Sequence, residues 1–172
     1  MTAQDDLDAR LAALERAVGE LQARAAEPSP EGAPTPDDEL WALAGLRSRS
    51  PASGAVLYTG VVELPTGGAV QWQYGLPAAN VLAQDWAELA PAIAALGHPV
   101  RLRILRAVLH GTTTVAALVA ELDTGTSGQA YHHVRELTAA GWLVSCGRGG
   151  FQVPAARVVP LLAILVAAGT PG

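Results

Sequence analysis

The 172-residue chain contains no lysine; all 11 of its basic residues are arginine. Its single cysteine, Cys146, excludes an internal disulfide framework and any cysteine-rich metal site. Charged residues make up only 16% of the chain. The longest apolar stretch, around residues 158–168, is too short to span a bilayer and contains Pro160. The opening MTAQDDLDAR is acidic and lacks an apolar centre, so it does not read as a secretory signal. A cytoplasmic protein with no membrane partner is expected.

Half of the residues are hydrophobic, enough for a substantial core. The net charge of −5 is unevenly distributed. Residues 1–90 carry five arginines against thirteen acids, a net of −8. Residues 91–172 carry six arginines against three acids, a net of +3. A mildly basic C-terminal module is thereby set apart, compatible with a polyanionic partner.

Leu7, Leu11, Leu14, Val18 and Leu21 recur at spacings of 4, 3, 4 and 3, the seam of a coiled coil. Residues 1–27 are therefore expected to form an oligomerising helix. Three heptads are marginal alone, so this helix needs a partner surface. Residues 28–38 are rich in proline and read as a linker. A short helix over 39–47 should follow, capped by Asp37 or Asp38. Residues 54–75 then change period and predict a hairpin turning at Pro65-Thr66-Gly67-Gly68. Val70, Trp72 and Tyr74 alternate with glutamines, giving the second strand an aromatic face. That face must pack on something, whether the chain's own helices, a sister subunit or an effector. The segment 39–76 forms the second expected module.

From Pro77 onward the pattern is mostly helical. Asp85 and Glu88 have capping-box spacing, and Pro91 should kink or restart the helix. A helix over 100–109 should bury Leu102, Leu105, Val108 and Leu109. Thr113 or Thr114 should cap the next one, over 115–122. After a turn at 123–125, Thr126 and Gln129 make a capping box for a third helix, which Gly141 ends. A hairpin with a glycine-rich tip at 146–150 and an almost wholly apolar helix over 155–168 complete the chain. Helix, tight turn, helix and hairpin make a winged helix-turn-helix. The expected fold is mainly α with small β: this domain over 77–172, preceded by the coiled-coil helix and the first hairpin.

The third helix sorts its residues by period. Ala130, Val134, Leu137 and Gly141 share an inner face, while Gln129, His132, Arg135 and Glu136 point away and Tyr131 lies at the border. Glutamine pairs with adenine, arginine with guanine or phosphate, and histidine and tyrosine donate to either. Gly128 permits close backbone approach, and the helix N-terminus favours phosphate. His132 reads as a base or phosphate contact, weighed against a solvated or metal-bound histidine; His133 reads as partly buried and hydrogen-bonded. Arg148 stands between glycines at the wing tip.

The segments LGHPVRLRILRAVL (96–109), TVAALVAEL (114–122), GTSGQAYHHVRELTAAGWL (125–143) and GGFQVP (149–154) together resemble an ArsR-type winged-helix transcriptional regulator, over roughly residues 85–168. The resemblance implies a homodimer joined through the first and last helices of the domain. It places recognition helix 127–140 in the major groove of a double-stranded DNA operator. Position by position, it assigns Ser127, Gly128, Gln129, Tyr131, His132 and Arg135 to DNA, with Arg148 on the wing. It also implies an effector, a small molecule or a protein. The coiled coil and the first hairpin lie outside the shared region, and the coiled coil offers a route from dimer to tetramer.

The sequence departs from metal-sensing members of that family. The helix before the recognition helix, VAALVAEL, holds no Cys, His or Asp, and the last helix has no carboxylate, so no metal site or cofactor is expected. Enzymatic activity is not expected either. Ser127 and His132 sit five residues apart on one helix, about 7.5 Å in rise, a poor geometry for a nucleophile and its base. The competing reading is a winged-helix protein-interaction module that does not touch DNA.

Overall fold

The computed structural model describes residues 10, 11, 13–19, 40–122, 126–147 and 149–169. The chain divides into two units, residues 1–44 and 45–172. In the first, residues 10, 11 and 13–19 are helical, and Leu11, Leu14 and Val18 are each at least half exposed. Leu7 and Leu21, the outer members of the expected seam, lie outside the described residues, as do the 28–38 linker and the expected caps Asp37 and Asp38. Helix α1 (Trp41–Arg49) crosses the boundary between the units and begins two residues later than the sequence predicts.

The second unit opens with an antiparallel hairpin of β1 (Ala55–Glu63) and β2 (Ala69–Pro77). Its turn uses Gly67 and Gly68 at φ 90° and 85°, values that side chains with a Cβ adopt at a cost. Leu64 N–H donates to the Gly68 carbonyl across it at 2.9 Å. The register sets Tyr58 opposite Tyr74 and Gly60 opposite Trp72, so the aromatic residues share a face as expected. The tyrosine rings lie 5.9 Å apart. Helix α7 (Ala155–Ala168) lies across both strands and covers part of the hairpin, while Trp72 and Tyr74 remain 38% and 49% exposed. Gly60 makes that approach possible, since a Cβ there would stand 2.9 Å from Val159 Cγ1.

Short helix α2 (Ala78–Ala83) follows the hairpin. The expected capping box at Asp85 forms only in half. The Asp85 carboxylate accepts from Ala87 N–H at 2.9 Å, but it starts a single 3-10 turn (Trp86–Leu89) and no reciprocal bond from Glu88 forms. Helix α3 (Ala90–Leu96) then restarts with Pro91 in its first turn, where the missing N–H costs nothing.

Helices α4 (Pro99–Leu109), α5 (Val115–Leu122) and α6 (Ser127–Ala139) pack on one another around a core of Ile104, Leu105, Leu118, Val134, Leu137 and Leu143, with Leu161 from α7. Ile104, absent from the expected buried set of α4, is fully buried; Leu102 and Leu109, expected inside, are only half covered. Thr114 caps α5 by accepting from Ala117 N–H at 3.3 Å.

The wing is a pair of antiparallel two-residue strands, β3 (Val144–Ser145) and β4 (Phe151–Gln152). Trp142 and Leu143 are drawn into the core, 2% and 0% exposed, and both of their backbone N–H groups donate to the Leu137 carbonyl at the end of α6. The Trp142 indole donates to the Ala92 carbonyl at 2.8 Å, and the Arg157 guanidinium lies 5.0 Å from its ring centre. Phe151 N–H donates to the Thr113 carbonyl, which ties the wing to the entry of α5. The last helix has the expected bounds but is not buried all round. Val158, Val159 and Leu161 are inside, whereas Ile164, Leu165 and Val166 are substantially exposed. The result is a mainly helical unit with two small antiparallel sheets.

Candidate nucleic-acid interface

Helix α6 is fixed from beneath and at its start. Ala130, Val134 and Leu137 are at most 1% exposed and seat it on α4 and α5. Thr126 sits at the cap with extended backbone. Its hydroxyl accepts from Gln129 N–H at 3.4 Å, and the Gln129 side-chain carbonyl accepts from Thr126 N–H at 3.1 Å. This is the capping box expected from the sequence.

Ser127, Gly128, Gln129, Tyr131, His132 and Arg135 are all exposed on the opposite side of α6. The fold therefore gathers six of the seven expected DNA-facing residues on one surface. Arg148, the seventh, lies outside the described residues. Tyr131 is 55% exposed, a large ring with little of the domain against it. Above Gly128 the space is open: a Cβ there would meet only the Thr126 hydroxyl, at 3.8 Å. No packing demand within the chain explains this glycine. Arg135 makes no ion pair among the described residues.

Gln129 serves the helix start through its side-chain carbonyl, which accepts one hydrogen bond from Thr126 N–H and keeps a second lone pair. Its side-chain amide makes no hydrogen bond among the described residues.

His133 departs from expectation. It is half-buried as predicted, but makes no side-chain hydrogen bond among the described residues. Instead its ring stands 4.6 Å from that of His98 and 5.6 Å from that of His132. Loss of water around His133 lowers its pKa from 6.5, and the positive charges of His98, His132 and Arg101 push the same way; Glu136 opposes them. His98 itself caps α4, its Nδ1 accepting from Val100 N–H at 3.2 Å. The sequence held a signal for this role, because His98 immediately precedes a proline at the first position of a helix. Arg101 follows one turn into α4, and its Nε is buried with no hydrogen-bond partner.

The wing tip turns through Gly147 at φ 85° and Gly149 at φ 73°. Gly150 is needed for another reason: a Cβ there would lie 3.0 Å from the Cys146 sulfur. Cys146 is exposed and free. Among the described residues, no group of three or more His, Cys, Asp or Glu side chains is placed to hold a metal ion. No described helix is long and apolar enough to cross a membrane.

The family model of a helix-turn-helix domain matches residues 96–144, from the last residue of α3 to the first of β3. No curated protein matches the chain. The three packed helices with their exposed α6 surface, and the match over the same residues, identify this part of the chain as a helix-turn-helix domain.

Proposed function

We propose that the protein is a sequence-specific transcriptional regulator of the ArsR type, cytoplasmic and non-enzymatic, that binds a double-stranded DNA operator as a homodimer. Helix α6 enters the major groove. Tyr131, His132 and Arg135 reach base edges or phosphates, Ser127 and Gly128 meet the backbone at the helix start, and Gln129 contributes its free amide. Arg148 supplies the wing contact. The observation that carries this reading is the α6 surface itself, an exposed row of hydrogen-bonding side chains on a helix locked by apolar residues beneath. An assembly module without DNA contact would more naturally present leucine, phenylalanine or methionine there.

The dimer is supported by apolar side chains exposed on the first and last helical segments of the domain. Trp86 and Leu89 on the 3-10 turn, Ile93 on α3, and Ile164 and Val166 on α7 are all at least 41% exposed. The N-terminal helix, with Leu11, Leu14 and Val18 uncovered, provides a second association surface, and pairing there would join dimers into tetramers.

The deciding experiment is fluorescence anisotropy of the purified protein on the intergenic DNA upstream of its own gene, against a scrambled duplex, over a salt series. Tight, salt-sensitive binding that prefers the native fragment is expected. Equal, weak binding to both duplexes would point to the protein-interaction reading.

A further inference from the structure

A groove of about 420 Å³ opens between α4 and α7, on surface that the proposed DNA contacts do not use. Leu105 and Leu161, each 1% exposed, form its floor; Leu102, Leu109 and Leu162 form its walls; Leu165, 41% exposed, stands at its lip. Its volume falls within the range of roughly 300–1,000 Å³ typical of small-ligand sites. The leucines would clothe a hydrocarbon body, but they do not by themselves choose among apolar molecules.

The rim does choose. Arg103, Arg106 and His110 lie along one edge of the groove, three and four residues apart on the same ridge of α4. Both guanidinium groups are without an ion pair among the described residues. The His110 ring is oriented by its Nδ1, which lies 2.8 Å from the Arg106 carbonyl, leaving Nε2 available. The same three residues also line a smaller adjoining hollow, whose one carboxylate, Glu121, accepts from the Thr112 hydroxyl at 2.6 Å. Two unpaired cations beside an all-leucine trough match a molecule with an apolar body and a single anionic head.

We propose that this groove is a binding site for an amphiphilic monoanion, a carboxylate carrying an alkyl or aryl body, whose head pairs with Arg103 and Arg106 and whose body lies on the leucines. The aliphatic stems of the two arginines extend the apolar wall while their heads stay in water. The site stands or falls independently of DNA recognition, because no residue of the α6 surface lines it.

The test is equilibrium dialysis of the full-length protein against radiolabelled octanoate and, separately, 1-octanol, with the oligomeric state of each sample followed by sedimentation velocity. The site predicts saturable octanoate binding, one molecule per chain. The double variant Arg103→Gln, Arg106→Gln should weaken octanoate about tenfold or more, the scale of a lost charge-assisted hydrogen bond, and leave octanol nearly unchanged. Leu165→Glu, at an exposed position that folding tolerates, should repel octanoate from the lip. Absence of saturable octanoate binding, or equal affinity in the double variant, overturns the proposal. So does a wild-type protein that ignores octanoate while Leu165→Glu splits its dimer, since a second copy of the chain would then be the occupant.

Discussion

Gly60 on β1 lies against Val159 on α7 so closely that a Cβ at position 60 would stand 2.9 Å from Val159 Cγ1. Val159 is 3% exposed and β-branched, so it has little room to retreat. Gly60→Ala should therefore cost about 1–3 kcal/mol, measured by urea denaturation. The double variant Gly60→Ala, Val159→Ala should lose less than the sum of the two single losses, because the smaller side chain at 159 makes room for the added methyl. Additive losses would show that the hairpin and α7 are not in contact in solution.

The neighbouring histidines predict a pH dependence. His133 is held below its ordinary 6.5, chiefly by loss of water and then by the charges of His98, His132 and Arg101. Between the folded-state pKa and 6.5 the unfolded chain binds more protons than the folded one. This contribution is therefore fully present above 6.5 and is lost as pH falls through the folded-state pKa. Urea midpoints taken from about pH 8 to about pH 5 should decline on the acid side. His133→Asn should flatten that decline; an unchanged slope would assign it to other groups.

The capping box separates two roles of one residue. Thr126→Ala removes the hydroxyl that accepts from Gln129 N–H and should cost about 1 kcal/mol of stability. Gln129→Glu keeps the acceptor and suits the helix start, so stability should hold within a few tenths of a kcal/mol. The added carboxylate would face the DNA phosphates, so affinity for DNA should fall. A Gln129→Glu protein with full DNA affinity would remove this end of α6 from the interface.

Tyr131→Ala and His132→Ala change residues that the core does not use. Each should weaken specific DNA binding by about 1–3 kcal/mol and leave the thermal midpoint nearly unchanged. Arg148→Ala should weaken specific and random DNA alike and flatten the salt slope by about one unit. Anisotropy titrations on both duplexes separate these outcomes.

Removal of residues 1–30 should lower the oligomeric state or weaken the dimer. Light scattering that finds the same particle, reduced only by the mass of the deleted segments, would confine association to the C-terminal domain.

Local chemistry was legible in the sequence wherever one residue sets it. Thr126 and Gln129 announced their cap by spacing, Gly67 and Gly68 announced their turn, and the alternation of Val70, Trp72 and Tyr74 announced a face. The period of Ala130, Val134 and Leu137 was enough to divide α6 into an inside and an outside, because a helix has a fixed pitch. Tertiary structure decided what depends on residues distant in the chain. It set Val159 against Gly60, 99 positions apart. It brought His98 to His133 and replaced an expected hydrogen bond with a ring contact. It also drew Trp142 and Leu143 inward, and left Leu102 and Leu109 half covered beside Arg103 and Arg106. Periodicity states which side of an element is apolar; only the packing of elements states how much of that side is covered, and by what.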